Sequence, residues 1–561
     1  MNNNYNRRFA ISKEDTMITT TWHWLWDKHD QAKDLLRFFV KPNEKNTVSG
    51  NRKSSSSAGN QDGNHKRIYQ PTQRFGLILG PVLFLITLLF FSPEGLSEEG
   101  KAILASTLWI AIWWMTEAVP IPVTSLLPIV LFPLTGGLDI GTTTSSYGDD
   151  TIFLFMGGFM IALAMEKWNL HKRIALQIIS VIGTNTDRIV LGFMVATGFL
   201  SMWISNTATA MMMVPIGLAI IYQVSEALKD DTSIDTSKEN FGFGKALMLG
   251  IAYSASLGGI GTLIGTPPNT LLAGAIKKTY GIDLSFAQWM LIGVPIAWIF
   301  ILIAWIYLVK VAYPLKLKQL PGGQEVIRSQ KKELGAASFE EKAVFVIFIL
   351  AALAWITRTF VLIHINENID DAIIAITAAI VLFIIPAKNK EGTLLDWETA
   401  VKLPWGILLL FGGGLSIAAG FVESGLSEWI GKQLTALQGV NLLIVILAVT
   451  TLVIFLTEIT SNTATASMMY PIMASLAIAL GVHPYSLMIA AGVAASCAFM
   501  LPVATPPNAV VFGSGYLRIP DMAKAGFALN IIGVFLITSI IYFLLPVAWG
   551  IDLNSVPDIF K

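Results

Sequence analysis

From Phe75 to the end of the chain, apolar runs alternate with short polar breaks. The runs lie at about 75–92, 103–119, 121–134, 151–167, 188–224, 244–276, 286–312, 341–362, 370–386, 404–423, 441–479, 485–515 and 526–549. Apolar runs of about 20 residues predict helices that cross a bilayer. Two of them, 188–224 and 441–479, are too long for one straight crossing. About 37 helical residues would reach roughly 55 Å, against a hydrocarbon core of about 30 Å. Each overlong run carries Ser-Asn-Thr near its middle, at Ser205-Asn206-Thr207 and Ser461-Asn462-Thr463. A helix that enters, turns at the triplet and leaves by the same side accounts for the length. A single long tilted helix is the alternative, and length does not exclude it.

Loop charge decides between them. With both overlong runs counted as re-entrant hairpins, 11 spans remain. A cytoplasmic N-terminus then puts Lys167-His171-Lys172-Arg173, Lys229, Lys238, the basic loop Lys316 to Lys342, Lys388, Lys390, Arg518 and Lys524 inside. The acidic turn Glu94 to Glu99, Asp139, Asp149, Asp150 and Glu367 to Asp371 fall outside. That is the positive-inside bias, with Lys101, Lys277-Lys278 and Lys432 as exceptions. Crossing at both overlong runs would invert the middle of the chain and put the Lys316–Lys342 loop outside. The reading is an all-α polytopic membrane protein with about 11 transmembrane helices and two re-entrant hairpins, with the C-terminus extracellular.

Composition agrees: 54% of the 561 residues are hydrophobic and 14% charged, against about 25% charged in soluble domains. Zero formal net charge gives no sign of nucleic-acid binding. The single Cys497 excludes an internal disulfide and a cysteine metal cluster. Residues 1–73 are polar, with a serine run at Ser54–Ser57, and predict a largely disordered tail without a removable signal peptide. Within it, Trp22, Trp24, Trp26, Leu35, Leu36, Phe38 and Phe39 suit either an interfacial helix or an unstructured sticky segment.

The second half repeats the first. The triplets stand 256 positions apart, as do Phe155-Met156-Gly157-Gly158 and Phe411-Gly412-Gly413-Gly414. Gly265-Thr266-Pro267-Pro268-Asn269 recurs as Ala504-Thr505-Pro506-Pro507-Asn508, now 239 positions on. This divides the chain into a first span and outer loop (74–102), repeat 1 (103–312), a cytoplasmic linker (313–340), repeat 2 (341–549) and a short tail (550–561). Five spans per repeat is an odd number, so the second copy is inverted, as in secondary transporters that bind at the midplane.

The two Thr-Pro-Pro-Asn segments interrupt helices, because consecutive prolines remove two N–H donors and clash with the preceding turn. Unwound backbone offers carbonyl oxygens, good ligands for a hard cation such as Na+; a plain proline kink is the bland alternative. The triplets supply hydroxyls and amides beside a helix N-terminus, where free N–H groups favour an anion. The bland alternative for a lone triplet is helix-packing glue; duplication favours a ligand with a negative group at each end. The motif regions contain no Arg or Lys, so co-bound cations would balance a dianion. Glu458 and Glu117 read first as structural, and Met211-Met212-Met213 as packing.

At these residues the chain resembles the divalent anion/sodium symporter (DASS) family, especially bacterial sodium-coupled dicarboxylate transporters, from about Phe75 to the C-terminus. The resemblance implies a plasma-membrane homodimer whose protomers each have a scaffold and a transport domain moving as an elevator. It implies that Ser205, Asn206, Thr207, Ser461, Asn462, Thr463 and Thr505 meet the substrate carboxylates. It further implies one sodium site at Ser201, Ser205, Asn206 and the Gly265 backbone, and a second at Thr457, Asn462 and the backbone of Thr460 and Ala504. The expected activity is Na+-coupled symport of C4 dicarboxylates such as succinate, fumarate and malate. Rivals are a dicarboxylate exchanger, a citrate or sulfate carrier, an anion channel and an intramembrane enzyme. No His/Asp/Glu metal cluster or nucleophile–base arrangement in the spans supports the last.

Overall fold

The computed structural model describes residues 70–560, except Thr184, 229–234, Glu239, 316–322 and 389–390. The expectations for the N-terminal tail, disorder and an interfacial helix alike, lie outside the described residues up to 69, whereas residues 71–73, placed in that tail, already open a helix. The described residues are helical, with one isolated antiparallel bridge, Pro386–Thr393.

Repeat 1 is preceded by α1 (Pro71–Phe90) and begins with α2 (Glu98–Thr116) and the short α3 (Leu127–Thr135). Then come α4 (Asp150–Lys167), α5 (Leu170–Ile182), α6 (Thr186–Ser201), α7 (Asn206–Ala227), α8 (Gly242–Gly259), α9 (Pro267–Tyr280) and α10 (Phe286–Ile306). After the linker helix α11 (Gly323–Leu334), the same order returns. It runs α12 (Phe339–Thr357), α13 (Asp371–Ile384), α14 (Trp405–Glu423), α15 (Leu426–Leu434), α16 (Leu442–Thr457), α17 (Asn462–Leu480), α18 (Pro484–Ala495), α19 (Pro506–Phe512) and α20 (Ile519–Ser539). Both α10 and α20 run on into a π-helical turn, at Tyr307–Ala312 and Ile540–Leu544.

Local chemistry explains the boundaries. Ser97 and Ser338 cap α2 and α12, each accepting an N–H from the residue three further on. Paired prolines open α9 and α19, where the missing N–H groups have no helical partner to lose. Both overlong apolar runs are broken at the triplets, so that Asn206 and Asn462 each start a new helix. The runs 244–276 and 485–515 are broken in the same way before their prolines. Pro215 and Pro471 occupy equivalent interior positions of α7 and α17.

Among the described residues, eight helices, some continued across short breaks, are long and apolar enough to cross a membrane, α7 and α17 among them. The helices α5, α11 and α15 answer to no apolar run, because each is amphipathic and short: α5, for example, buries Leu170, Ala175, Leu176 and Ile179 while Lys172 and Arg173 remain partly exposed. The closest helix packing joins α1 to α2, α4 to α13, α6 to α8, and α17 to α18.

Ion pairs sort by the side that the loop charges assign. One set joins Lys167 to Asp396, Arg173 to Glu341, Lys245 to Asp521 and Lys310 to Asp187. The other joins Lys101 to Glu98, Lys277 to Asp150, and Arg358 to Asp283 and Asp371. Two of the cations that break the positive-inside bias, Lys101 and Lys277, thus have carboxylate partners on their own side.

Candidate functional site

Both helix breaks and both triplets meet at one cavity of about 1200 Å3. From repeat 1 it is lined by Ser205, Asn206, Thr207, Gly265, Thr266 and Pro267. From repeat 2 come Thr460, Ser461, Asn462, Thr463, Ala504, Thr505, Pro506 and Pro507. Its wall continues to Gln70, Thr72 and Gln73 at the start of α1 and to Thr116 and Glu117 at the end of α2. The ionisable lining residues are Glu117 and Glu458, with no Lys or Arg among them. An anion here meets amides, hydroxyls and the N-terminal N–H groups of α7 and α17, whose dipoles favour negative charge; the paired prolines leave α9 and α19 without their first two N–H groups.

Ser201 and Thr457 lie behind this lining, fully buried. The Ser201 hydroxyl is within donating distance of both the Asn206 Oδ1 and the Ala255 carbonyl. In repeat 2 the Thr457 hydroxyl stands 2.7 Å from Asn462 Oδ1 and 2.9 Å from the Ala495 carbonyl. A hydroxyl carries one proton, so each cluster holds more oxygens than protons to share among them. A bound cation would remove that deficit. In repeat 1 the deficit also disappears if the Asn206 amide is turned over, so that its nitrogen donates to Gly265 O at 3.2 Å and Ala255 O at 3.1 Å. Either way, Ser201, Asn206, Ala255 and Gly265 form one oxygen-rich cluster. Chemically the set suits a hard monovalent or divalent cation held by neutral oxygens.

The unwound stretch before each proline pair is held by residues that the sequence reading did not single out. Asn269 Nδ2 donates to the carbonyls of Gly259, Ile260 and Thr262, at 3.1, 3.1 and 2.7 Å. Asn508 Nδ2 does the same to Ala498 and Leu501, at 3.1 and 3.0 Å. Both stand in the quoted Thr-Pro-Pro-Asn motifs, so a signal existed for them. Ala255 and Ala495 gave none, because they contribute only backbone.

Gly265 is required at its place. A Cβ there would overlap the Gly259 carbonyl, and a Cβ at Gly259 would fall 2.8 Å from Asn206 Oδ1. Repeat 2 tolerates Ala504, so the two breaks are not superimposable copies. Glu458 accepts backbone N–H groups from Phe499 at 2.7 Å and Met500 at 2.9 Å, and the Asn530 amide at 2.7 Å. It is a brace for the second break, in agreement with a structural role. Glu117 closes α2 in the left-handed region, at φ 46°, and its carbonyl accepts Gln73 Nε2 at 3.1 Å. Met213 is buried, whereas Met211 is 53% exposed, so packing accounts for only part of the methionine run.

Comparison with known proteins agrees with this architecture. Residues 72–553 match the family model described as the sodium:sulfate symporter transmembrane region. A protein of Staphylococcus saprophyticus named sodium-dependent dicarboxylate transporter SdcS is 51% identical over 491 residues, covering 87% of this chain and 94% of its own. A Staphylococcus aureus protein of the same name is 52% identical over 497 residues, with coverage of 87% and 94%. In fold alone, the chain is similar to the Alcanivorax borkumensis YdaH transporter, with a TM-score of 0.50 at 13% identity, over 73% of this chain and 87% of that one. A family match across nearly every described residue, with relatives sharing half their positions, places this chain in the divalent anion/sodium symporter family, a family of membrane transporters rather than enzymes.

Proposed function

We propose that the protein is a secondary active transporter that carries C4 dicarboxylates such as succinate, fumarate and malate across the plasma membrane together with Na+. The observation that carries this reading is the meeting of two Ser-Asn-Thr tips and two proline-broken helices at one cavity that has no basic lining residue. The relatives' name, sodium-dependent dicarboxylate transporter, supports the same substrate and ion.

Ser205, Asn206 and Thr207 would hold one carboxylate, and Ser461, Asn462, Thr463 and Thr505 the other. One sodium ion would sit among Ser201, Ser205, Asn206 and the Gly265 backbone, with the Ala255 carbonyl added by the geometry. A second would sit among Thr457, Asn462 and the backbone of Thr460 and Ala504, with Ala495 added. Neutral donors bind a dianion weakly, so prior sodium binding lowers the cost of bringing the second charge in; that is the physical basis of coupling. Each triplet would be the tip of a re-entrant hairpin, and the loaded domain would cross as a unit within a homodimer. A cytoplasmic N-terminus and an extracellular C-terminus complete this reading, and the loop charges support that orientation.

The test is uptake of radiolabelled succinate by proteoliposomes with and without an inward sodium gradient. Saturable, sodium-dependent net uptake into substrate-free vesicles supports symport. Uptake that needs internal dicarboxylate establishes exchange instead, and sulfate that competes with succinate as well as malate does would reassign the substrate. Asn206→Ala and Asn462→Ala should each abolish uptake while leaving the thermal melt within a few degrees.

A further inference from the structure

The two triplet tips are equivalent in sequence but not in surroundings. In repeat 1 Trp203, two positions before the triplet, is 9% exposed, and Ile264, just before Gly265, is 7% exposed. Their repeat 2 counterparts, Ile459 and Val503, are 69% and 86% exposed and line the cavity. Large apolar side chains left open beside a binding site, when their symmetry mates are buried, indicate a surface waiting for a partner.

The cover over repeat 1 shows what that partner is. Trp203 lies against α12, edge-on to Phe348 at 5.0 Å and stacked with Trp355 at 6.5 Å. Phe286 completes the stack, at 6.0 Å from Trp203 and 4.8 Å from Trp355. Among the described residues the Trp203 indole N–H meets no acceptor, so the seat rests on packing rather than on a hydrogen bond from the ring. Ile264 rests on Gly158 of α4. The counterpart of α12 in repeat 1 is α2: Ser97 and Ser338 cap them, and Lys101-Ala102-Ile103 stands 241 positions before Lys342-Ala343-Val344. The same spacing pairs Trp114 with Trp355, and both indoles are anchored to the following segment, on Ser125 and Asp371. It pairs Thr107 with Phe348. The C-terminal end of α2, Met115 to Glu117, lines the same cavity as Ile459 and Val503.

We propose that Ile459 and Val503 are positioning residues that seat the tip of repeat 2 against α2, near Thr107 and Trp114, in a second state that closes this cavity. In that state the contact of Trp203 with α12 opens, so the two repeats exchange roles. The inference rests on the reading of the protein as a transporter and adds to it the contact that alternates. A side chain that must be buried in one state and wet in the other shifts the balance between them when its polarity changes, because a ligand-free equilibrium of this kind spans only a few kcal/mol.

The test uses the full chain with Cys497→Ala, the native thiol being wholly buried. Ile459→Asn and Val503→Asn each place an uncharged polar group where the second state would bury it, without adding negative charge beside the cavity. Each should lower sodium-driven succinate uptake at least about tenfold, while sodium-dependent succinate binding by the detergent-solubilised protein stays near that of the parent. Ile459→Leu and Val503→Ile should keep uptake. Ile459→Cys with Thr107→Cys should cross-link under oxidant and block uptake until reduced. Asparagine variants that transport like the parent, asparagine variants that lose binding together with uptake, or a cysteine pair that never cross-links would each overturn the inference. A parent protein that fails to take up succinate in the same vesicles would instead overturn the transporter reading.

Discussion

At the scale of single residues, side-chain amides hold this site together. Asn206 and Asn462 face the cavity, while Asn269 and Asn508 sit fully buried behind it and tie the unwound carbonyls in place. Removing Asn269 leaves three buried carbonyls without that donor, and an unsatisfied buried group costs about 1–3 kcal/mol. Asn269→Ala should therefore weaken apparent sodium affinity in uptake assays by roughly tenfold to a hundredfold. Asn508→Ala should do less, since its amide serves two carbonyls and Glu458 braces the same break. An Asn269→Ala protein whose sodium dependence matches the parent would show that the prolines alone hold the break.

Among the elements, the breaks differ between repeats in ways that substitution can read. Gly265→Ala forces a Cβ into the Gly259 carbonyl and should abolish both sodium-dependent stabilisation and uptake. Ala504→Gly removes one methyl from the second break and should keep uptake within about threefold, paying only the chain entropy of a glycine. The start of α18 carries a pH-sensitive cap outside the spans. His483 accepts the Tyr485 N–H on Nδ1 at 3.2 Å and packs against Phe560. Burial pushes its pKa down to about 4, below the ordinary value near 6.5. The folded state thus favours the neutral ring, so this contribution is complete above pH 6.5 and is lost as pH falls towards 4. Each pH unit in that window costs at most about 1.4 kcal/mol. The melting temperature should fall between pH 7 and pH 5, and His483→Gln should flatten that slope at some cost in stability at pH 7.

For the molecule as a whole, the decisive quantity is which loops share a side of the membrane. Lys342 and Asn368 are both exposed and belong to the two opposite sets of loops. With Cys497→Ala as background, Lys342→Cys should react with an impermeant maleimide only after the membrane is opened, and Asn368→Cys in intact cells. The reverse pattern, with Lys342→Cys labelled in intact cells and Asn368→Cys only after the membrane is opened, would undo the hairpin reading, because crossing at both broken runs inverts this middle part of the chain.

The duplicated motifs and the apolar runs carry the helical membrane fold, the two repeats and most residues of the candidate site in the sequence itself. They can do so because lipid penalises every unsatisfied polar group, so a buried Ser-Asn-Thr or a double proline stands out against its surroundings. Hydropathy could not show the amphipathic helices α5, α11 and α15, whose apolar faces are narrow stripes. Nor could it show Ala255 and Ala495, since any residue supplies a carbonyl. The difference between the two tips was hidden for another reason. Trp203 and Ile459 occupy equivalent places in the sequence, and only packing against α12, or its absence at α2, makes one buried and the other open. Repeated sequence specifies two like halves; the tertiary structure decides which of them is covered.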